Sequence, residues 1–203
     1  MRIEIHYLPS IEYMALVYAA SEVHFEVFEN FPKQTFRNRT RILGANGIEN
    51  LTVPILHASG RKQLTKDVQI DYGQDWVRRH KGAIQAAYGN APFYEHFEPF
   101  IQQIFAKKTK YLVDLNIHYF TFLTKVLGKT IPHSLTDTFA QDAVDSRWNQ
   151  LLAKESWEER SNYKVIPYRQ CFGDHFEPNL SVLDLVMNHG NESYDILMQS
   201  LNK

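Results

Sequence analysis

A chain of 203 residues with 22 basic and 23 acidic side chains has a formal net charge of −1, which excludes a global field able to hold a long nucleic-acid backbone and confines anion binding to local patches. Its single cysteine, Cys171, excludes an intrachain disulfide and a cysteine-based zinc site, and is the usage expected of a reducing cytoplasm. The length suits one domain with a sizeable core, and no apolar run is long enough to span a bilayer.

Residues 2–8 alternate, with Ile3, Ile5 and Tyr7 on one side and Arg2, Glu4 and His6 on the other, and predict a first strand ended by Pro9-Ser10. A helix over Ile11–Ala20 and a strand over Val23–Phe28 follow. The turn Gly44-Ala45-Asn46-Gly47 predicts a hairpin whose second arm, the apolar run Leu51–Ile55, is an edge strand or terminates at Pro54. From Asp75 the period changes: Trp76, His80, Ile84 and Tyr88 recur every four residues and stop at Gly89-Asn90. A second helix starts at Pro92 with an apolar stripe of Phe93, Phe97, Phe100, Ile101, Ile104 and Phe105, and a third carries Leu112, Leu115, Tyr119, Phe122, Leu123 and Val126 before Gly128. Residues 129–170 are weakly patterned, with a helix near Ala140–Leu152 and a short strand at Tyr163–Pro167. Asn179 and Ser181 are helix-capping residues before a closing helix that stops at Gly190. The fold class is α/β, a small sheet of the N-terminal strands and the Leu51–Ile55 segment packed by several helices. The units are a strand-rich part (1–60), a helical middle (75–127), an irregular part (129–170) and C-terminal helices (178–203) of one domain.

Lys33-Gln34-Thr35-Phe36-Arg37-Asn38-Arg39-Thr40-Arg41 concentrates positive charge in an otherwise neutral chain. If extended, it puts Arg37, Arg39 and Arg41 on one face; if helical, Lys33, Arg37 and Arg41 align and Arg39 turns away. Arginine suits a phosphate or carboxylate because its planar fork donates two parallel bonds to one anion. The competing readings are an edge strand protected by its charges and arginines paired internally with Glu26, Glu29 or Glu49. Tyr7, Pro9 and Tyr13 sit at the first strand-to-helix junction, where a helix N-terminus exposes N–H groups to an anion. His6 at the strand end is a candidate acid or base, set against a surface histidine. His80 faces the same packing stripe as Trp76, a position that also suits a satisfied core histidine. Cys171 lacks any neighbour whose spacing guarantees a lowered thiol pKa. No phosphate-cradling glycine loop, nucleophile elbow or metal-ligand pattern is present.

Tyr7-Leu8-Pro9 with Ile11-Glu12-Tyr13, Arg37-Asn38-Arg39, Leu51-Thr52-Val53-Pro54-Ile55, Trp76 with His80 and Tyr88, Ala91-Pro92-Phe93 and Pro178 to Asp184 together resemble the WbqC-like family of bacteria. That resemblance implies an association with O-antigen and other surface polysaccharides, and a group-transfer role. It also brings an opening similar to Rossmann-like nucleotidyltransferases, a fold-level analogy only. One departure stands out: Ile3 occupies the family's histidine position, and His6, three residues along, falls on the opposite strand face. The resulting expectation is a cytoplasmic transferase moving a glycosyl, acyl or aminoacyl group from a small anionic donor. Arg37, Arg39 and Arg41 with Lys33 and Gln34 would hold the donor, Tyr7, Pro9, Tyr13, Trp76, Asn38, Asn179 and Ser181 would shape the pocket, and His6 or His80 would move the proton. The alternative is a non-catalytic accessory module for an acidic ligand or carrier; nucleic acid is not an expected partner, and the residues specify no cofactor or oligomeric state.

Overall fold

The computed structural model describes residues 1–32, 35–56, 62–139, 158, 163–173 and 175–201. Three short parallel strands form its sheet: β1 (Arg2–Ile3), β2 (Val23–Phe25) and β5 (His133–Leu135), in the order β1-β2-β5. Between β1 and β2 runs α1 (Ile11–Tyr18), whose eight residues are all buried. Apart from Glu12, whose carboxylate accepts from Asn179, α1 is apolar on every face, as suits a helix inside the core, and it is capped by Ser10, whose side chain accepts from the Tyr13 N–H.

A separate antiparallel hairpin joins β3 (Arg39–Gly44) to β4 (Gly47–Thr52), in register Arg39↔Thr52 through Gly44↔Gly47. The Ala45-Asn46 turn works because Gly47 has φ 101°, a backbone that a side chain would strain. Three helices follow, α2 (Trp76–Tyr88), α3 (Tyr94–Ala106) and α4 (Leu112–Val126), then α5 (Val182–His189) and α6 (Ser193–Gln199). Ser181 caps α5 by accepting from the Leu183 N–H at 3.2 Å. α5 sits at the centre and packs against α1, α2, α3, α4, α6 and β3. One apolar cluster runs through Ile3, Phe25, Tyr88, Leu123 and Leu183, joining every layer.

The α/β class with a small parallel sheet of N-terminal strands stands. Its composition differs from expectation: Leu51 and Thr52 belong to the hairpin, and the third strand of the sheet is β5. The first strand is two residues long because the following segment, Glu4 to Pro9, leaves the ladder, and the Leu8 φ of 41° turns the chain. In place of the strand expected at Tyr163–Pro167, Tyr163 forms an isolated bridge to Leu201. The helix expected near Ala140–Leu152 lies outside the described residues. No helix among the described residues is long and apolar enough to cross a membrane.

Candidate functional site

The segment leaving β1 is buried on both faces, from Glu4 to Pro9. Its turn at Leu8 is held by two hydroxyls: the Leu8 carbonyl accepts from Thr40 Oγ1 at 2.6 Å and Ser181 Oγ at 3.0 Å. Backbone bonds add to this, Tyr7 N to the Phe36 carbonyl at 2.9 Å, Val182 N to the Pro9 carbonyl at 2.8 Å and Ser181 N to the Arg41 carbonyl at 2.8 Å. Strand exit, hairpin and α5 therefore meet at one junction. There Tyr7, Pro9, Ser10, Arg39, Arg41 and Asn179 line a cleft of about 10 Å³, roughly the space of one water molecule. Arg39 also lines an open groove of about 530 Å³ with Asn38, Thr52, Asp71 and Gln74, so this one residue borders both spaces.

The three arginines part company. β3 starts at Arg39, so Arg39 and Arg41 alternate onto one face, whereas Arg37 lies in the turn before the strand. Arg37 is 2% exposed and its guanidinium pairs with both Glu4 and Glu29. It is thus committed to the interior, and Glu26 is engaged separately by Arg2. Arg41 donates to the Asn179 carbonyl at 3.2 Å. Arg39 has no carboxylate within ion-pair distance among the described residues, and its shielded Nε has no hydrogen-bond partner there. Burial raises the Glu29 carboxyl to about 7; Arg37 pulls it down, but that cation is shared with Glu4, whose charge, like that of Glu26, pushes Glu29 further up.

Neither histidine faces the cleft. His6 stacks on Tyr13 at 4.2 Å and its Nε2 bonds Glu4, behind Phe36. Tyr13 donates its hydroxyl to the Glu4 carbonyl at 2.5 Å, which makes it a wall of this charged cluster rather than of the cleft. His80 Nδ1 lies 2.9 Å from the Tyr7 hydroxyl; burial favours its neutral form, against a bond to the Thr52 backbone that favours the protonated one. Trp76 packs edge-on against His80 and Phe105 and is 1% exposed. Asn38 spends its amide on the Val53 carbonyl at 2.9 Å, fixing the start of the hairpin.

The α1 N-terminus is not an open anion site. Its first N–H groups are taken: Ile11 by the Leu180 carbonyl at 3.0 Å, Glu12 by Asn179 Oδ1 at 3.1 Å and Tyr13 by Ser10. Asn179 was expected as a cap for the closing helix and instead caps α1, also donating to Glu12 Oε2 at 2.9 Å. Lys33 and Gln34 lie outside the described residues. Cys171 is remote from the cleft, donates to Asn188 Oδ1 at 3.3 Å and has its thiol pKa raised, chiefly by burial. Among the described residues no group of three or more His, Cys, Asp or Glu is arranged to hold a metal ion. Sequence reasoning passed over Glu4 because alternation placed it only among the charged side chains of a short strand; Thr40, which holds Leu8, and Asp71 and Gln74, which line the groove, carried no motif.

Burial depresses the His80 pKa to about 4, with Arg79 adding to the effect and the Thr52 bond opposing it. A depressed base costs stability on acidification: the His80 contribution is whole above pH 6.5 and is lost as pH falls towards 4. Glu29, raised to about 7, acts in the opposite sense, its contribution whole below 4.5 and lost as pH rises through 7. The two terms offset each other in the wild type, so a variant is needed to separate them. The stability advantage of wild type over His80→Gln is expected to shrink by roughly 3 kcal/mol between pH 7 and pH 4, read by urea denaturation at each pH. A constant difference would show that His80 is not held neutral by burial.

The WbqC-like protein family model matches residues 5–159 and 158–196. A similar protein is the uncharacterized protein Rv1507c of Mycobacterium tuberculosis (strain ATCC 25618 / H37Rv), 24% identical over an alignment covering 96% of this chain and 95% of that protein. No solved structure matches. The family match takes in the Leu8 turn, the Arg37–Arg41 run, the α2 stripe and the capped α5 helix, and with it the chain belongs to the WbqC-like protein family.

Proposed function

We propose that the protein binds a small phosphate- or carboxylate-bearing ligand through Arg39, with Arg41 and Asn179 shaping the inner cleft. The single observation behind this is the contrast between neighbours: Arg37 is neutralised by Glu4 and Glu29, while Arg39 reaches both cleft and groove with no carboxylate partner among the described residues. A partly shielded guanidinium with an open donor favours an anion, because a charge-assisted bond replaces an unmade one. The 10 Å³ cleft admits at most a single small group, so the body of the ligand belongs in the 530 Å³ groove. In the surface-polysaccharide setting that the family resemblance implies, such a ligand is the activated donor of a glycosyl, acyl or aminoacyl transfer.

A second reading, an accessory module that binds without turnover, is favoured by the position of His6 and His80, both buried and turned from the cleft. The ionisable group beside Arg39 in the groove is Asp71, whose carboxylate already accepts from Gly73 and Gln74. Calorimetric titration with nucleotide-sugars, nucleotides and coenzyme A tests binding. Arg39→Ala is expected to weaken the interaction by about 1.5–3 kcal/mol, and Arg39→Lys to restore only part of it, since an ammonium lacks the fork. Silence across the panel, or an unchanged affinity in Arg39→Ala, removes the proposal; binding without consumption of the donor selects the accessory module.

A further inference from the structure

A second concave site lies on the far side of the helical layer. Between α3 and α4 a groove of about 460 Å³ has a floor of Phe97, Phe100, Ile104 and Phe122, a volume in the range of small-molecule sites, roughly 300–1,000 Å³. Its aromatic rings are mutually packed, Phe97 against Phe122 at 6.1 Å and Phe100 against Phe122 at 6.0 Å, yet Phe100 stays 48% exposed. His96 and Lys107, the residue that caps the C-terminus of α3, are eleven helical steps apart, which gives the groove a length of about 16 Å at 1.5 Å per residue.

Charge decides what such a floor would accept. Lys107 and His118 mark one end and His96 and Lys125 the other, and among the described residues no carboxylate lines the groove. Lys107 is near enough to His118 to push its pKa down, beside the larger effect of burial, while Asp114 at the α4 start pulls it up. Both lysines are exposed and neither appears in an ion pair among the described residues. An apolar trough with a cation at each end disfavours a cationic or neutral polar ligand and matches an alkyl chain with an anionic head.

We propose that this groove binds a free single-chain amphiphilic carboxylate, its alkyl chain along Phe97, Phe100, Ile104 and Phe122 and its head at Lys107 or Lys125. The site is separate from the Arg39 cleft and stands independently of it. The test is isothermal titration of the full chain with sodium dodecanoate, kept below micelle formation, with dodecyltrimethylammonium of equal chain length as the control. Saturable one-to-one binding of dodecanoate is expected, with none of the cation. Lys107→Glu/Lys125→Glu, at two exposed positions, is expected to lower affinity about tenfold or more, and Phe100→Ser to lower it several-fold, with the far-ultraviolet circular dichroism of each variant unchanged. Absent binding, equal binding of the cationic amphiphile or indifference to the double charge reversal overturns the site. Binding confined to anionic vesicles, or a labelled acidic helical peptide that dodecanoate cannot displace, overturns it in favour of a membrane surface or a protein partner.

Discussion

Replacing Arg37 with alanine is expected to destabilise the fold by about 3–5 kcal/mol, because breaking a buried ion pair strands the charges left behind. Arg37 is 2% exposed, and its guanidinium pairs with Glu4 and Glu29, whose side chains are themselves 1% and 13% exposed. His6 and Tyr13 hold the same residue, His6 bonding the Glu4 carboxylate through Nε2 and Tyr13 donating to the Glu4 backbone carbonyl, so the loss reaches the strand exit. The magnitude should fall on acidification, since Glu29 titrates near 7 in the wild type and is pushed higher when its cation is removed. Adding Glu29→Gln to Arg37→Ala is therefore expected to recover part of the deficit. Chemical denaturation at pH 7 and pH 5 measures both effects. A loss below about 1 kcal/mol, the scale of exposed ion pairs, would mean that the cluster is hydrated and that Arg37 is available to a ligand.

Asn179→Ala is expected to cost roughly 2–4 kcal/mol, combining lost buried hydrogen bonds with a left-handed backbone that alanine adopts poorly. Asn179 has φ 51°, accepts from the Glu12 N–H, donates to the Glu12 carboxylate and presents its carbonyl to Arg41. Asn179→Gly separates the terms, because glycine relieves the backbone cost and restores no side-chain bond. Thermal unfolding should rank wild type above the glycine variant and the glycine variant above alanine. If glycine matches wild type, the side chain contributes nothing and α1 is capped by Ser10 alone.

Legibility followed the length of each pattern. The helices α2, α3 and α4 carry apolar side chains over several turns, from Trp76 to Tyr88, Phe97 to Phe105 and Leu112 to Leu123, and their stripes face the core except at Phe100, which stays exposed. The hairpin was readable from its glycines because two-residue loops demand particular backbone angles. β5 was not, since three residues paired to β2 offer no period to detect. The first strand misled for a different reason. Alternation puts Glu4 and His6 on a polar strand face opposite Ile3 and Ile5, but that face is enclosed by Phe36, Tyr13 and Arg37 and is buried by being paired.

At the candidate site the period-two reading joined Arg39 to Arg41 correctly as strand neighbours and failed at Arg37, which precedes the strand. What separates these residues is the partner each meets, and partners come from distant segments: Glu4 for Arg37, Asn179 for Arg41 and, for Arg39, the groove formed with Asp71 and Gln74. Glu29 was among the carboxylates considered as internal partners, and it does take Arg37. No spacing within Lys33–Ile42 distinguishes a structural guanidinium from one left open.

That distinction can be observed atom by atom through the arginine Nε–H resonances during titration with inorganic pyrophosphate. The Arg39 Nε–H signal is predicted to shift saturably while that of Arg37 stays fixed. An unmoved Arg39 signal, or a saturable shift at Arg37, would contradict the assignment of anion binding to Arg39.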